Sequence, residues 1–214
     1  MFACPKLAFS SRSLAWEDLN AFQSALEWKM RPVGSTPASS RSATVRLGWA
    51  GNEIYFWASL PDDDVFSAAT ADNQRMWQLG DVFEVFVRDA ERENYIELHV
   101  TPNGHRLQLA FPTEKTTGEL RAGQITFESL IQSRPLFDFL VRMSAGGWEV
   151  LGRVPLASFH PDAAALAGRT IQASFCRYDY TRGVEKPALS STSDYREVNF
   201  HRCGEWKSFH CLPG

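Results

Sequence analysis

From Thr44 onward the chain consists of short runs rich in β-branched and aromatic residues, broken by Gly, Asn, Pro and Asp at intervals that suit an antiparallel sandwich. Residues 45–49 alternate, Gly51-Asn52 supplies a tight turn, and 54–60 continue as a second strand, so a hairpin is predicted. That second strand is bulky on both faces, with Ile54, Phe56 and Ala58 on one and Tyr55 and Trp57 on the other, as expected of an inner strand covered from both sides. Further strands are predicted at 82–87, 95–101, 106–111, 124–131, 140–143, 148–154 and 170–180, with a single helical turn at 155–159. Pro102-Asn103-Gly104 should join two of these strands antiparallel, because Asn-Gly reaches positive φ at little cost. The expected fold class is all-β: one antiparallel β-sandwich, immunoglobulin-like or jelly-roll-like, with minor short helices.

A length of 214 residues suits one such domain. Residues 34–42 (GSTPASSRS) read as a linker, separating an N-terminal arm (1–42) that packs on the body from the sandwich proper (43–214). In the arm, Leu14, Leu19, Phe22 and Leu26 recur at helical spacing behind Glu17-Asp18, so a short helix is predicted. A long loop after Arg182-Gly183 is expected to cover a site.

With 22 Lys+Arg against 25 Asp+Glu, the net charge of −3 leaves no electrostatic footprint for nucleic acid. No apolar run approaches the roughly 18 residues that cross a bilayer, so no membrane partner is expected. The first residues are interrupted by Pro5, Lys6, Ser10 and Arg12 and do not form an export signal, which makes the cytoplasm the default compartment. Cys4, Cys176, Cys203 and Cys211 are scattered and read as free buried thiols.

Three places carry candidate chemistry. Glu84 shares a strand face with Val82 and Phe86, an expensive position for a carboxylate unless it is paired, hydrogen-bonded or open to a cleft. In the next strand Tyr95, Glu97, His99 and Thr101 form a polar row opposite Ile96, Leu98 and Val100. Such a row suits a hydroxyl-rich ligand, and it is also what a half-solvated strand presents to water. Trp77, in the polar loop just before these strands, offers an aromatic face on which the C–H face of a sugar can stack while nearby acids accept its hydroxyls.

The succession VRLGWAGNEIYFWASLPDDD, WQLGDVFEVFV, YIELHVTPNG, GWEVLGRVPLASF, GRTIQASFCRYDY and NFHRCGEW resembles carbohydrate-binding module family 9 and the wider DOMON-like sandwiches, over most of residues 43–214. The resemblance implies a cleft holding a mono- or oligosaccharide end, without catalysis. Carried over by position, Trp77 would be the stacking platform, Glu84 a hydroxyl acceptor, Glu97 and His99 the polar pair beside it, and Arg177 a contact from the late strand. The late loop, where the family has a second stacking Trp, has none here, and Tyr195 takes that role. Family members also hold structural calcium, for which Asp62, Asp63 and Asp64 are the candidates. A protein partner in polysaccharide processing is a further expectation.

Rival readings share these residues. Glu84 and Glu97 could be the acid and base of a glycosidase. His99 with Met76 or Met143 could ligate haem, as in related electron-transfer sandwiches. His201, Cys203, His210 and Cys211 lie close in sequence but match no standard zinc spacing.

Overall fold

A computed structural model describes residues 1–9, 13–34, 42–144 and 146–213. The linker predicted at 34–42 lies almost wholly outside them. In chain order the strands are β1 (Phe2–Cys4), β2 (Leu26–Lys29), β3 (Arg31–Pro32), β4 (Thr44–Ala50), β5 (Glu53–Pro61), β6 (Val82–Asp89), β7 (Tyr95–Val100) and β8 (Arg106–Phe111). After a short helix, α1 (Thr116–Arg121), follow β9 (Asp138–Ser144), β10 (Gly147–Pro155), β11 (Thr170–Asp179), β12 (Ala188–Ser191) and β13 (Lys207–Cys211).

Two sheets result, which makes the domain an all-β sandwich. The smaller has the order β2-β4-β5-β10-β9, and the larger runs β1-β13-β11-β6-β7-β8, with β12 also on β11 and β3 on β12. Pairing is antiparallel throughout except between β1 and β13, where the N-terminal strand lies parallel to the C-terminal one. The predicted hairpin is β4–β5, in register from Thr44 opposite Ser59 to Ala50 opposite Glu53. The turn after β7 also forms as its sequence requires, with Gly104 at φ 84° and its N–H donating to the carbonyl of Thr101.

The core between the sheets is aromatic and aliphatic. Phe56 of the smaller sheet meets Phe83 and Phe175 of the larger at 5.9 and 5.7 Å between ring centroids, and Phe83 stacks on Phe175 at 6.0 Å. Gly152 stands opposite Phe56 across β5 and β10, where any Cβ would collide with the Phe56 ring. The arm covers the outer face of the smaller sheet: Phe9 packs 4.1 Å from Tyr55 and 6.0 Å from Phe22, which sits in a 3-10 helix at Trp16–Ser24. The arm also adds β1, β2 and β3 to the sheets, which its sequence did not announce.

Two expectations are corrected. Residues 124–131 do not form a strand; α1 and a 3-10 turn at Phe127–Leu130 occupy that region. Thr126 caps the turn, its hydroxyl accepting from the Ser129 N–H at 3.3 Å, and Phe127 and Leu130 bury their side chains downward instead of alternating. The polar face of β7 is not solvated either. Every residue of β6 and β7 is buried, because segments 112–131 and 195–206 fold back over the larger sheet. Among the described residues no helix is long and apolar enough to cross a membrane.

The far end of β6 is tied down by Asp89, which is 1% exposed and accepts from Arg169 at 2.8 Å, His160 at 2.9 Å and the Glu91 N–H at 3.0 Å. Burial opposes its charge, but the Glu91 N–H, His160 and Arg169 together hold its carboxyl below the ordinary value. A folded-state pKa below the unfolded one gives stability that is full above the unfolded value, about 3.9, and is lost as pH falls through the folded value. Asp89→Asn should therefore cost about 1–3 kcal/mol in urea unfolding at neutral pH. Its deficit relative to the native protein should shrink in acid, and a pH-independent deficit would contradict the assignment.

Candidate functional site

Over the outer face of the larger sheet lies a cavity of about 690 Å³. Its floor is set by register. Glu84 on β6 stands opposite His99 on β7, Phe86 opposite Glu97, and Glu97 opposite Leu109 on β8. Glu97 and His99 are two residues apart on one strand, so their side chains rise from the same face and meet that of Glu84. The His99 Nε2 lies 2.6 Å from Glu97 Oε1 and 3.4 Å from Glu84 Oε1. His201, from the segment after β12, brings its Nε2 to 3.7 Å from Glu97 Oε2, while its Nδ1 lies 2.9 Å from the Tyr95 hydroxyl. Phe111 stacks on Tyr95 at 4.5 Å and fixes that ring.

The electrostatics follow from this burial. Desolvation pushes the Glu84 carboxyl up to about 8, with the Glu97 charge adding and His99 opposing. Glu97 is also penalised by burial, but His201 and the hydrogen-bonded His99 win and hold it below the ordinary range. Burial pulls the His99 imidazole down, yet the two glutamates outweigh it and its pKa is raised. Burial holds that of His201 low. The floor thus sets a hydrogen-bonded His99–Glu97 pair beside a Glu84 whose carboxyl is raised and a His201 whose imidazole is lowered. One acceptor remains unspent: Glu97 Oε2 is buried and makes no hydrogen bond, as is true of His99 Nδ1.

The walls are aromatic and apolar. Trp77, on the 3-10 turn Met76–Gln78, is half-buried and sits edge-to-face with His99 at 5.6 Å and with Phe127 at 5.7 Å. Its backbone carbonyl accepts from the Tyr180 hydroxyl at 2.6 Å, which fixes the turn against the late strand. Gly80, at φ 127°, lets that turn pass the backbone of Phe66, where a Cβ would lie 2.6 Å from the carbonyl oxygen. Arg75 covers Phe127 at 4.7 Å, and Tyr178, Leu120, Ile125 and Asn199 complete the enclosure.

The structure therefore brings Trp77, Glu84, Glu97 and His99 together. Among the described residues, neither Arg177 nor Tyr195 lines the cavity. Arg177 pairs with Phe83 in the β6–β11 register and so faces the inter-sheet side, whereas Cys176 pairs with Glu84 and Tyr178 with Val82. The late-strand residue on the cavity is Tyr178, one position from the expected one, and alternation from Cys176 could have found it. Tyr195 supports the cap: its hydroxyl donates to the Phe200 carbonyl at 2.9 Å, lies 2.8 Å from Ser174 Oγ, and its ring packs on Phe200.

Arg177 is 1% exposed, and both terminal nitrogens of its guanidinium are engaged. It donates to the Pro61 carbonyl at 2.8 Å and to Asp62 at 2.9 Å, and lies 3.1 Å from Asp179. Asp81 is beside them, accepting from the Phe66 and Tyr180 N–H groups, with burial pushing its carboxyl up to about 7. Asp64 is engaged by Arg182. Of the candidates at 62–64, Asp62 is thus paired with Arg177 and Asp64 with Arg182, while Asp62, Asp81 and Asp179 bring carboxylate oxygens within 4.8 Å of one another.

The donor atoms of Glu84, Glu97 and His99 all lie within 4.8 Å of one another. Met143 is exposed on β9 of the smaller sheet, away from His99. Cys203 packs with the cap and Cys211 in the inter-sheet core, so the C-terminal His and Cys residues do not converge.

The molecule is a sandwich with a capped, polar-floored cavity on one sheet, and comparison places this fold. It is shared with a candidate carbohydrate-binding protein from Bacteroides uniformis ATCC 8492 (TM-score 0.75, 14% identity, covering 98% of this chain and 97% of that one). It is also shared with carbohydrate binding module family 9 domains from Caldicellulosiruptor kristjanssonii. One is in complex with cellotriose (TM-score 0.68, 12% identity, covering 100% and 95% of the two chains) and one with glucose (0.67, 14%, 98% and 95%). No protein-family model and no curated protein matches the sequence.

Arg177→Met should cost about 3–5 kcal/mol in chemical unfolding, since it leaves Asp62 and Asp179 buried without their counter-charge. Ligand binding under conditions where the variant is folded should be unchanged. A variant that keeps its stability but loses binding would show that the assigned strand face is wrong.

Proposed function

We propose that the protein binds a carbohydrate, as a monosaccharide or the end of an oligosaccharide, in the cavity on the larger sheet, without catalysing a reaction on it. The observation that carries this reading is an unspent, buried acceptor, Glu97 Oε2, beside a half-buried Trp77 in a cavity of about 690 Å³. Sugars need that combination: an aromatic face for the C–H side of the ring and fixed polar groups for the hydroxyls. Trp77 stacks on the ring, Tyr178 lines the cavity with it, Glu84 and Glu97 form hydrogen bonds with its hydroxyls, and His99 holds Glu97 in place. Asn199 and His201 contribute from the cap. The two family 9 modules, with glucose and cellotriose, share the fold and make those two sugars the first probes.

Calorimetric titration with glucose, cellotriose and a wider glycan panel should find a ligand. Trp77→Ala should then weaken binding by roughly 5- to 150-fold, the equivalent of about 1–3 kcal/mol of lost aromatic contact, with the fold retained. Binding unchanged in that variant would move the site elsewhere.

A further inference from the structure

We propose that Glu84, Glu97, His99 and His201 form a site for a divalent transition-metal ion of the zinc class on the cavity floor, with an open coordination position facing the ligand. The metal site itself stands on geometry alone; only its role beside a sugar rests on the reading above.

The first argument is convergence. Two donors at i and i+2 on β7 and a third directly across on β6 bring two carboxylate oxygens and an imidazole nitrogen within 4.8 Å of one another. A further nitrogen, His201 Nε2, comes from the cap and lies 3.7 Å from Glu97 Oε2, beside the three convergent donors.

The second argument is the choice of counter-groups. Elsewhere in this molecule several buried carboxylates have a guanidinium partner, Asp62 and Asp179 in Arg177 and Asp89 in Arg169, with His160 also on Asp89. Glu84 and Glu97 form ion pairs only with imidazoles among the described residues. Arginine fills a site permanently, whereas neutral histidine offers a lone pair to a metal. With both imidazoles in the neutral form that metal binding requires, the two carboxylates leave a charge of −2, which a divalent ion balances. A nitrogen-and-oxygen set of this kind favours zinc over the all-oxygen preference of calcium.

The third argument is an unsatisfied atom. Glu97 is 5% exposed and its Oε2 has no hydrogen-bond partner, a costly state for a buried carboxylate and one that a cation relieves. The support for His201 is of the kind a metal ligand has: its Nδ1 is held by the Tyr95 hydroxyl, so Nε2 is presented toward Glu97.

The test uses the full chain after chelator treatment and dialysis, titrated calorimetrically with zinc chloride and separately with calcium chloride. Zinc should bind one per chain and raise the melting temperature, and calcium should not compete. Glu97→Gln and His201→Gln should each weaken zinc binding by more than about tenfold, since removing a ligand costs at least what loss of an outer-shell partner does. If Glu97→Gln does not fold, His201→Gln, whose side chain is 24% exposed, carries the test. Cobalt(II) taken up in place of zinc should show visible d–d absorption without a thiolate charge-transfer band. No zinc uptake, uptake equal in His201→Gln, or a thiolate band would overturn the proposal. Glycan binding that persists in zinc-free protein with no zinc uptake would sink the metal site alone; zinc uptake without any glycan binding would sink the sugar reading alone.

Discussion

Glu84 lies opposite His99, and Glu97 shares their side of the larger sheet, because β6 and β7 pair antiparallel in a single register. A slip of one residue would turn these groups into the inter-sheet core and bring Phe83, Val85 and Leu98 outward. The core enforces the parity of each strand: Phe83 packs with Phe56 and Phe175, and Leu98 is buried on the same side, so neither strand can turn its faces over without exposing them. Hydrophobic packing on one face therefore positions the polar chemistry on the other.

That polar face would be an ordinary solvated surface if the chain ended its work at the sheets. Instead Phe127 and Leu130 from one side, and Phe200 and Trp206 from the other, cover it and lower the local dielectric. Desolvation then shifts the glutamates and histidines in opposing directions and leaves an acceptor without a donor. The larger sheet consequently has two different ionic arrangements. Toward the smaller sheet, Arg177 locks Asp62 and Asp179 into a closed structural network; under the cap, carboxylates meet imidazoles around open space.

Much of this was legible in the sequence, and what was missed has a pattern. The hairpin at 44–61 and the turn at Gly104 were readable because their information is local: alternation, and residues that tolerate positive φ. Glu84, Glu97, His99 and Trp77 stood out because a carboxylate in an apolar strand or a large aromatic in a loop needs an explanation. The burial of the β7 polar row was not legible, since it depends on segments far away in the chain folding over it. Residues 124–131 read as a strand because Ile125, Phe127 and Ile131 are β-favouring, yet the Thr126 cap folds Phe127–Leu130 into a 3-10 turn, and Ile131 makes an isolated bridge to Leu109 on the β8 edge. Arg177 was chosen for its charge when its neighbour Tyr178 has the correct parity. Charge alone does not tell which face of a doubly covered strand a residue occupies.

The central claim is that the ligand enters the capped cavity and is held over the β6–β7 face. A crystal structure of the protein soaked with glucose or cellotriose tests it most directly. The account predicts a sugar ring against the Trp77 indole with a hydroxyl on Glu97 Oε2. A sugar bound on the smaller sheet or at a surface loop, with the cavity unaltered, would contradict it.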